Sequence, residues 1–344
     1  MIRVRDFPGK VVFYMADLVS MGELLIDFTP VGETEDGRLL FARNPGGAPA
    51  NVAVQAHRAG VSAGFLGRVG LDMFGGFLVD TLKGCGVDTR GLSQDPDYAT
   101  TLAFVQLSPE GDRDFSFYRN PGADTRLSFA ETDLSIVEEC KLLCFGSLLL
   151  TAEPSRSAVH QLVDHARALG KITAYDPNWR PPLWKGREAE GVAQMKSLVP
   201  KADIYEDLWG GAGASHRGKK WWKKGPGPCW SRGVSLVVVT LGARGCKAFA
   251  PGLTLEKPTY DTKVKDTTGS GDSFFGALLA KGDPFWEAAG PALSGGADRA
   301  EGLSHRPGRG RRWRGPGAAG NPCGRRGALR PHVAAGGLEH PDGG

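Results

Sequence analysis

Short apolar runs alternate with stretches of helical period along most of this chain. Val19–Phe28 reads as a buried strand rich in Leu and Ile that ends in a carboxylate. Ala48–Ala59 has helical character and stops at Gly60, a residue suited to closing a helix. Gly64–Val69 reads as a strand, and Phe74–Lys83 as a helix that ends before Gly84. Leu142–Phe145, Ile172–Tyr175 and Leu236–Thr240 are further short strands, with helical stretches such as Ser155–Leu169 between them. Strands alternating with helices predict a mostly parallel sheet covered on both faces. Thr100–Leu107 and Arg113–Tyr118 break that rhythm. They alternate apolar and polar residues around Ser-Pro-Glu-Gly-Asp, the pattern of a hairpin with one wet face.

The pattern fails in two places. Residues 206–233 and 286–344 turn rich in Gly, Arg, Pro and Trp, with almost no aliphatic periodicity. Such composition buries too little apolar area to offset the entropy of ordering it. Both segments share a bias foreign to the rest, which fits translation in a shifted frame; the alternative is genuine low-complexity sequence. The formal net charge of +4 has the same origin. Residues 210–233 hold six Lys and Arg and no acid, and 298–330 hold nine Arg against Asp298 and Glu301, so the remainder is acidic. A role in binding nucleic acid therefore does not follow from the overall charge.

The chain's 344 residues are enough for a large single α/β core, and no apolar run is long enough to span a bilayer. Residues 1–18 read as an extension ahead of the first strand; a signal peptide would need a longer apolar core, and a transit peptide more serine. The six cysteines (85, 140, 144, 229, 246 and 323) show neither a CxxC pair nor zinc-type His spacing. Reduced, mostly buried thiols and a cytoplasmic location are the expectation.

The chemistry concentrates in residues 266–281, Asp266-Thr-Thr-Gly-Ser-Gly-Asp272-Ser-Phe-Phe-Gly-Ala-Leu-Leu-Ala-Lys. Gly269, Ser270 and Gly271 stand at the mouth of an apolar helical run, where helix amides and dipole favour an anion such as a phosphate. Asp272, in the first turn, would stay ionised beside that anion, ready to accept a proton from an attacking hydroxyl. Upstream, Asn44-Pro-Gly46-Gly47-Ala-Pro-Ala-Asn51 opens a helix, followed by Gly67-Arg-Val-Gly70-Leu-Asp72-Met-Phe-Gly75. Thr240-Leu-Gly242-Ala-Arg-Gly245 follows a buried strand as a strand-to-turn signal.

Together these segments resemble the two signatures of the ribokinase-like (PfkB-type) carbohydrate kinases, from about Val19 to Ala280. Met21-Gly-Glu23-Leu-Leu-Ile-Asp27-Phe, Phe115–Asp124 and Asp176-Pro-Asn178-Trp-Arg180-Pro-Pro-Leu-Trp184 are most similar to fructokinases. The resemblance implies a three-layer α/β fold with a small β lid, a kinase unit over residues 19–285, and lid segments near 27–45 and 98–120. It further implies ATP as donor, D-fructose as acceptor, Mg²⁺ with the nucleotide, a monovalent cation such as K⁺, and a homodimer. By the same resemblance, Asp272 is the general base and Gly269, Ser270 and Gly271 form the anion hole. Asp27, which would end the first strand, Gly46, Gly47, Asn51, Arg119 and Arg180 would bind substrate. Thr240, Gly242, Gly245 and Thr267 would bind nucleotide, with Asp266 and Thr268 at the cation. Two alternatives stand beside a fructokinase: a 2-keto-3-deoxygluconate kinase, whose substrate carboxylate suits Tyr118 and Arg119, and a sugar-binding remnant impaired by its two aberrant segments. The family's Asn-x-x-Glu-type segment should follow Ile204, where this chain has only Glu206-Asp207 in an unfamiliar context.

Overall fold

The computed structural model describes residues 4–5, 11–12, 16–107, 113–208, 229, 231–260, 267 and 269–281. A two-strand ladder, β1 (Val4–Arg5) with β2 (Val11–Val12), comes first. Strands β3 (Leu18–Met21), β4 (Leu25–Glu33) and β5 (Leu39–Gly46) lead into helix α1 (Ala48–Arg58). Then follow β6 (Ala63–Gly70), α2 (Met73–Gly84), β7 (Asp88–Asp95), and the hairpin β8 (Leu102–Leu107) and β9 (Arg113–Tyr118). The second half runs α3 (Ser135–Glu138), β10 (Leu142–Phe145), α4 (Ser155–Ala168), β11 (Ile172–Tyr175), α5 (Glu188–Leu198) and β12 (Ile204–Leu208). It continues with β13 (Leu236–Thr240), β14 (Cys246–Ala250), β15 (Leu253–Lys257) and α6 (Ser270–Lys281).

Nine strands make one sheet in the order β15-β14-β13-β12-β11-β10-β3-β6-β7. It is parallel from β13 to β7, and β14 and β15 add an antiparallel edge. Because successive strand side chains face opposite ways, each strand feeds two cores. Leu143, Phe145, Tyr175 and Val237 pack with Val159, Leu162 and Val163 of α4. Leu142, Cys144, Ala174 and Val238 belong instead to the core under α1, α2 and α6, with Val52, Leu78 and Phe275. The three-layer α/β architecture expected from the alternation is the one observed.

The lid is a separate four-stranded sheet in the order β5-β4-β8-β9. Phe28 of β4 stacks on Phe104 of β8 with ring centroids 4.8 Å apart, tying its middle together. The sequence pattern merges β3 and β4 into one strand from Val19 to Phe28; the structure divides them. Gly22-Glu23-Leu24 carries the chain out of the large sheet and into the lid, with Gly22 N–H donating to Leu66 O at 3.0 Å. Apolar composition is continuous across this crossing, so periodicity alone does not reveal it. Asp27 consequently lies within β4, opposite Asn44 of β5, and not at a strand end.

β12 runs three residues past Tyr205, where the sequence pattern breaks, pairing Glu206 with Val238 and Leu208 with Thr240. Of the aberrant stretch 206–233, most lies outside the described residues, as do residues 286–344 and most of 1–18. Cys140, Cys144, Cys229 and Cys246 are free thiols. Cys85 is disulfide-bonded, so the expectation of a wholly reduced set fails there. No helix among the described residues is long and apolar enough to cross a membrane.

Asp72 joins the lid's base to the body. Its carboxylate accepts the amides of Phe74 and Gly75 at the start of α2 and both the amide and hydroxyl of Thr100, just ahead of β8. Asp72→Ala should lower unfolding stability in urea by about 1–3 kcal/mol, the range for losing a helix cap plus a buried bond; a change below about 0.5 kcal/mol would show the tie to be dispensable.

Candidate active site

The carboxyl ends of the parallel strands meet the starts of α1 and α6, the usual place for a ligand in an open α/β sheet. Gly46 closes β5, and Gly47 then caps α1 with φ of 115°, a conformation L side chains rarely adopt. Any Cβ at Gly47 would also run into the backbone carbonyl of Glu23. A Cβ at Gly46 would come within 2.6 Å of Asp27 Oδ2, so this glycine lets the carboxylate lie against the turn. Asn51, in the first turn of α1, donates from Nδ2 to Asp272 Oδ2 at 2.8 Å. That bond joins residues 221 apart and sets the acid beside the Gly46–Gly47 turn.

The two helices come this close because Gly276 of α6 lies against α1: a Cβ there would stand 2.5 Å from Val52 O. At the head of α6, Gly269 has φ of 71° and accepts the Ser273 amide at 2.9 Å. The amide of Ser270 donates to Thr267 O at 3.1 Å. Of the amides expected to face an anion, Ser270's is therefore held by the turn itself. Thr267 is exposed at the helix entry, whereas Asp266 and Thr268 lie outside the described residues.

A second carboxylate faces the first. Asp176 follows β11 and accepts the Asn178 amide at 2.9 Å, Asn178 itself sitting at φ of 39°. Burial first, then the Asp272 charge, push Asp176 up to about 7, against the pull of the Asn178 amide and Arg180. Asp272 is also raised by desolvation, with Asn51 and Arg180 opposing. The sequence pointed to an acid kept ionised by its helix start; enclosure in the cleft outweighs that influence. Arg180 is thus the cation that acts on both acids. Asp176 further shares a side-chain hydrogen bond with Glu206, which is buried and accepts the Thr240 hydroxyl at 3.0 Å. Glu206, out of context in the sequence, stands inside this network.

Arg119, expected on the substrate side, is anchored within the protein. Its side chain is 5% exposed and pairs with Asp124, 1% exposed, at 2.6 Å. It also donates to Leu148 O and the Thr151 hydroxyl. Thr240 ends β13, and Gly242 and Gly245, both at positive φ, close the following turn with Leu241 N–H donating to Gly245 O at 2.8 Å. Glu23 is a buried acid that the sequence contains within its Gly-Glu segment without disclosing a role. Among the described residues no cluster of three or more His, Cys, Asp or Glu could hold a metal ion.

A model of the pfkB family carbohydrate kinases matches residues 15–283. The chain belongs to this family. It is 40% identical over 264 residues to the probable fructokinase-3 of Arabidopsis thaliana, covering 76% of each chain. Among solved structures, the fructokinase of Xylella fastidiosa with bound ATP superposes with a TM-score of 0.69 at 27% identity, over 81% of this chain and 90% of that one. A double mutant of the Vibrio cholerae O395 fructokinase, bound to fructose, ADP and a potassium ion, gives 0.69 at 28% identity, over 83% and 90%. The ribokinase-like fold inferred from paired motifs is therefore this kinase's fold.

The elevated acid makes a pH test possible. With its folded value raised above 3.8, Asp176 binds more protons in the folded chain than in the unfolded one between about pH 4 and 7. Its contribution to stability accordingly falls as pH rises through that window. Asn does not titrate, so the melting temperature of Asp176→Asn relative to wild type should climb from pH 5 to pH 7.5; a flat difference would show that Asp176 ionises as an ordinary carboxylate.

Proposed function

We propose that this kinase transfers the γ-phosphoryl group of ATP to a primary hydroxyl of D-fructose, giving fructose 6-phosphate and ADP. The observation that carries this reading is the Asn51–Asp272 hydrogen bond, which holds one acid between a glycine-lined turn and a helix start. In the transfer, the sugar oxygen forms a bond to the γ-phosphorus while the bond to the bridging oxygen of ADP breaks. The hydroxyl proton goes to Asp272, whose raised value makes it the stronger base once ionised. Arg180 and the amides near Gly269 and Gly271 offset charge on the phosphoryl oxygens. Asp27, Gly46, Gly47 and Asn51 form the sugar side. The turn from Thr240 through Gly242 to Gly245, with Thr267, forms the nucleotide side.

Mg²⁺ is taken to arrive with the nucleotide and to neutralise its phosphates. K⁺ is assigned to Asp266 and Thr268 by resemblance. The lid, residues 27–45 and 98–120 of a kinase unit spanning 19–285, exposes Val31, Leu39, Leu40, Phe41 and Tyr118, which supports a homodimer through the lid. A cytoplasmic location accords with sugar and nucleotide as the small-molecule partners.

Fructose is favoured over 2-keto-3-deoxygluconate because Arg119, the cation suited to a substrate carboxylate, is committed to Asp124, Thr151 and Leu148. A coupled ADP-release assay across fructose, 2-keto-3-deoxygluconate, ribose and adenosine should give the highest kcat/KM for fructose. A preference for the acid sugar would reverse the assignment, and fructose binding without turnover would favour the impaired remnant. Asp272→Asn should lower kcat by about 10²–10⁴ with little change in fructose KM; unaltered turnover would remove Asp272 from the base role.

A further inference from the structure

Glu23 is a buried acid that this chemistry leaves unused. It lies on the crossing between β3 and β4 and is 2% exposed. Its Oε1 accepts the Ala48 N–H at 3.1 Å, at the first residue of α1 after the Gly47 cap. Its Oε2 is buried and has no hydrogen-bond partner among the described residues. The residue lines a cleft together with Pro49, Phe145, Leu148, Asp176 and Asn178. A buried carboxyl oxygen left unpaired costs about 1–3 kcal/mol, so its persistence beside a cavity calls for a partner that enters that cavity.

We propose that Glu23 is a further sugar-positioning residue: Oε1 fixes the Ala48 amide behind the Gly46–Gly47 turn, and Oε2 meets a hydroxyl of the bound hexose. The inference rests on reading the cleft as the sugar pocket. The bonding pattern assigns the two oxygens different parts, Oε1 as the carbonyl acceptor and Oε2 as the bearer of the proton. Burial pushes this carboxyl up to about 8, so at neutral pH it is an un-ionised acid whose O–H donates to a sugar oxygen. The ionisable groups facing it are few. Asp124 raises its value and Arg119 lowers it, both from the segment after the lid hairpin. Asp176 faces it from the end of β11, and the Cys144 thiol of β10, pushed far up by burial, stays neutral. The mostly apolar remainder of the wall suits the carbon skeleton of a neutral polyol.

Calorimetric titration of fructose into the full chain between pH 6.5 and 9.5 tests this without requiring turnover. Glu23→Ala should weaken binding by about threefold to tenfold, the worth of one hydrogen bond. Glu23→Gln, which keeps an acceptor and a neutral donor, should recover most of that loss. Wild-type affinity should fall above about pH 8, and that fall should be missing in Glu23→Gln. Fructose affinity unchanged in Glu23→Ala, or equal losses in the Ala and Gln variants, would overturn the role. Should Glu23→Ala fail to fold by circular dichroism, the comparison of wild type with Glu23→Gln decides: identical pH profiles would overturn it. Wild type that binds no fructose at all would refute the pocket reading first, at the control, and the Glu23 role with it.

Discussion

Helices α1 and α6 approach closely enough for Asn51 to hold Asp272, and the rest of the site follows from that approach. It requires a bare backbone at Gly276 against Val52 and an apolar contact under both helices, supplied by Val52 and Phe275. Once the helices are locked, the Gly46–Gly47 turn and the Gly269 turn face one cleft. Neither helix could present its first turn to the same ligand if side-chain bulk held them apart by one more carbon layer. The packing of a hydrophobic core thus fixes the relative position of two polar ends far apart in the sequence.

Acids outnumber bases in the cleft. Glu23 and Asp176 line it, Asp272 and Glu206 act on Asp176, and Arg180 acts on both aspartates. Such an arrangement is unfavourable when the cleft is empty, because desolvated like charges raise one another's proton affinity. Burial, first, raises the proton affinities of Glu23, Asp176 and Asp272.

Much of this was legible in the residues. β10, β11 and β13 begin and end where their apolar runs do, because each run is bounded by polar or turn-forming residues. The division between β3 and β4 was not legible, since apolar composition reports burial and is silent about which sheet a strand joins. Asp272 and Gly269 announced themselves through small residues ahead of an apolar helix. Their meeting with Asn51 could not be read from spacing, and came only through resemblance to a family. Arg119 illustrates the opposite limit. Its presence after the lid hairpin was plain, but its direction depended on Asp124, five residues on in the short 3-10 helix Ala123–Arg126. Glu206 was obscured by the broken pattern that follows it, although its strand continues to Leu208.

The pairing of Arg119 with Asp124 also carries an evolutionary consequence. Both partners are nearly sealed from water, so replacing either one strands a lone charge in a medium that cannot solvate it. A path between this arrangement and an apolar one therefore passes through a valley, and the two positions should drift together or not at all. Among descendants of the same ancestor, an aliphatic residue at one of them foretells the disappearance of its counterpart.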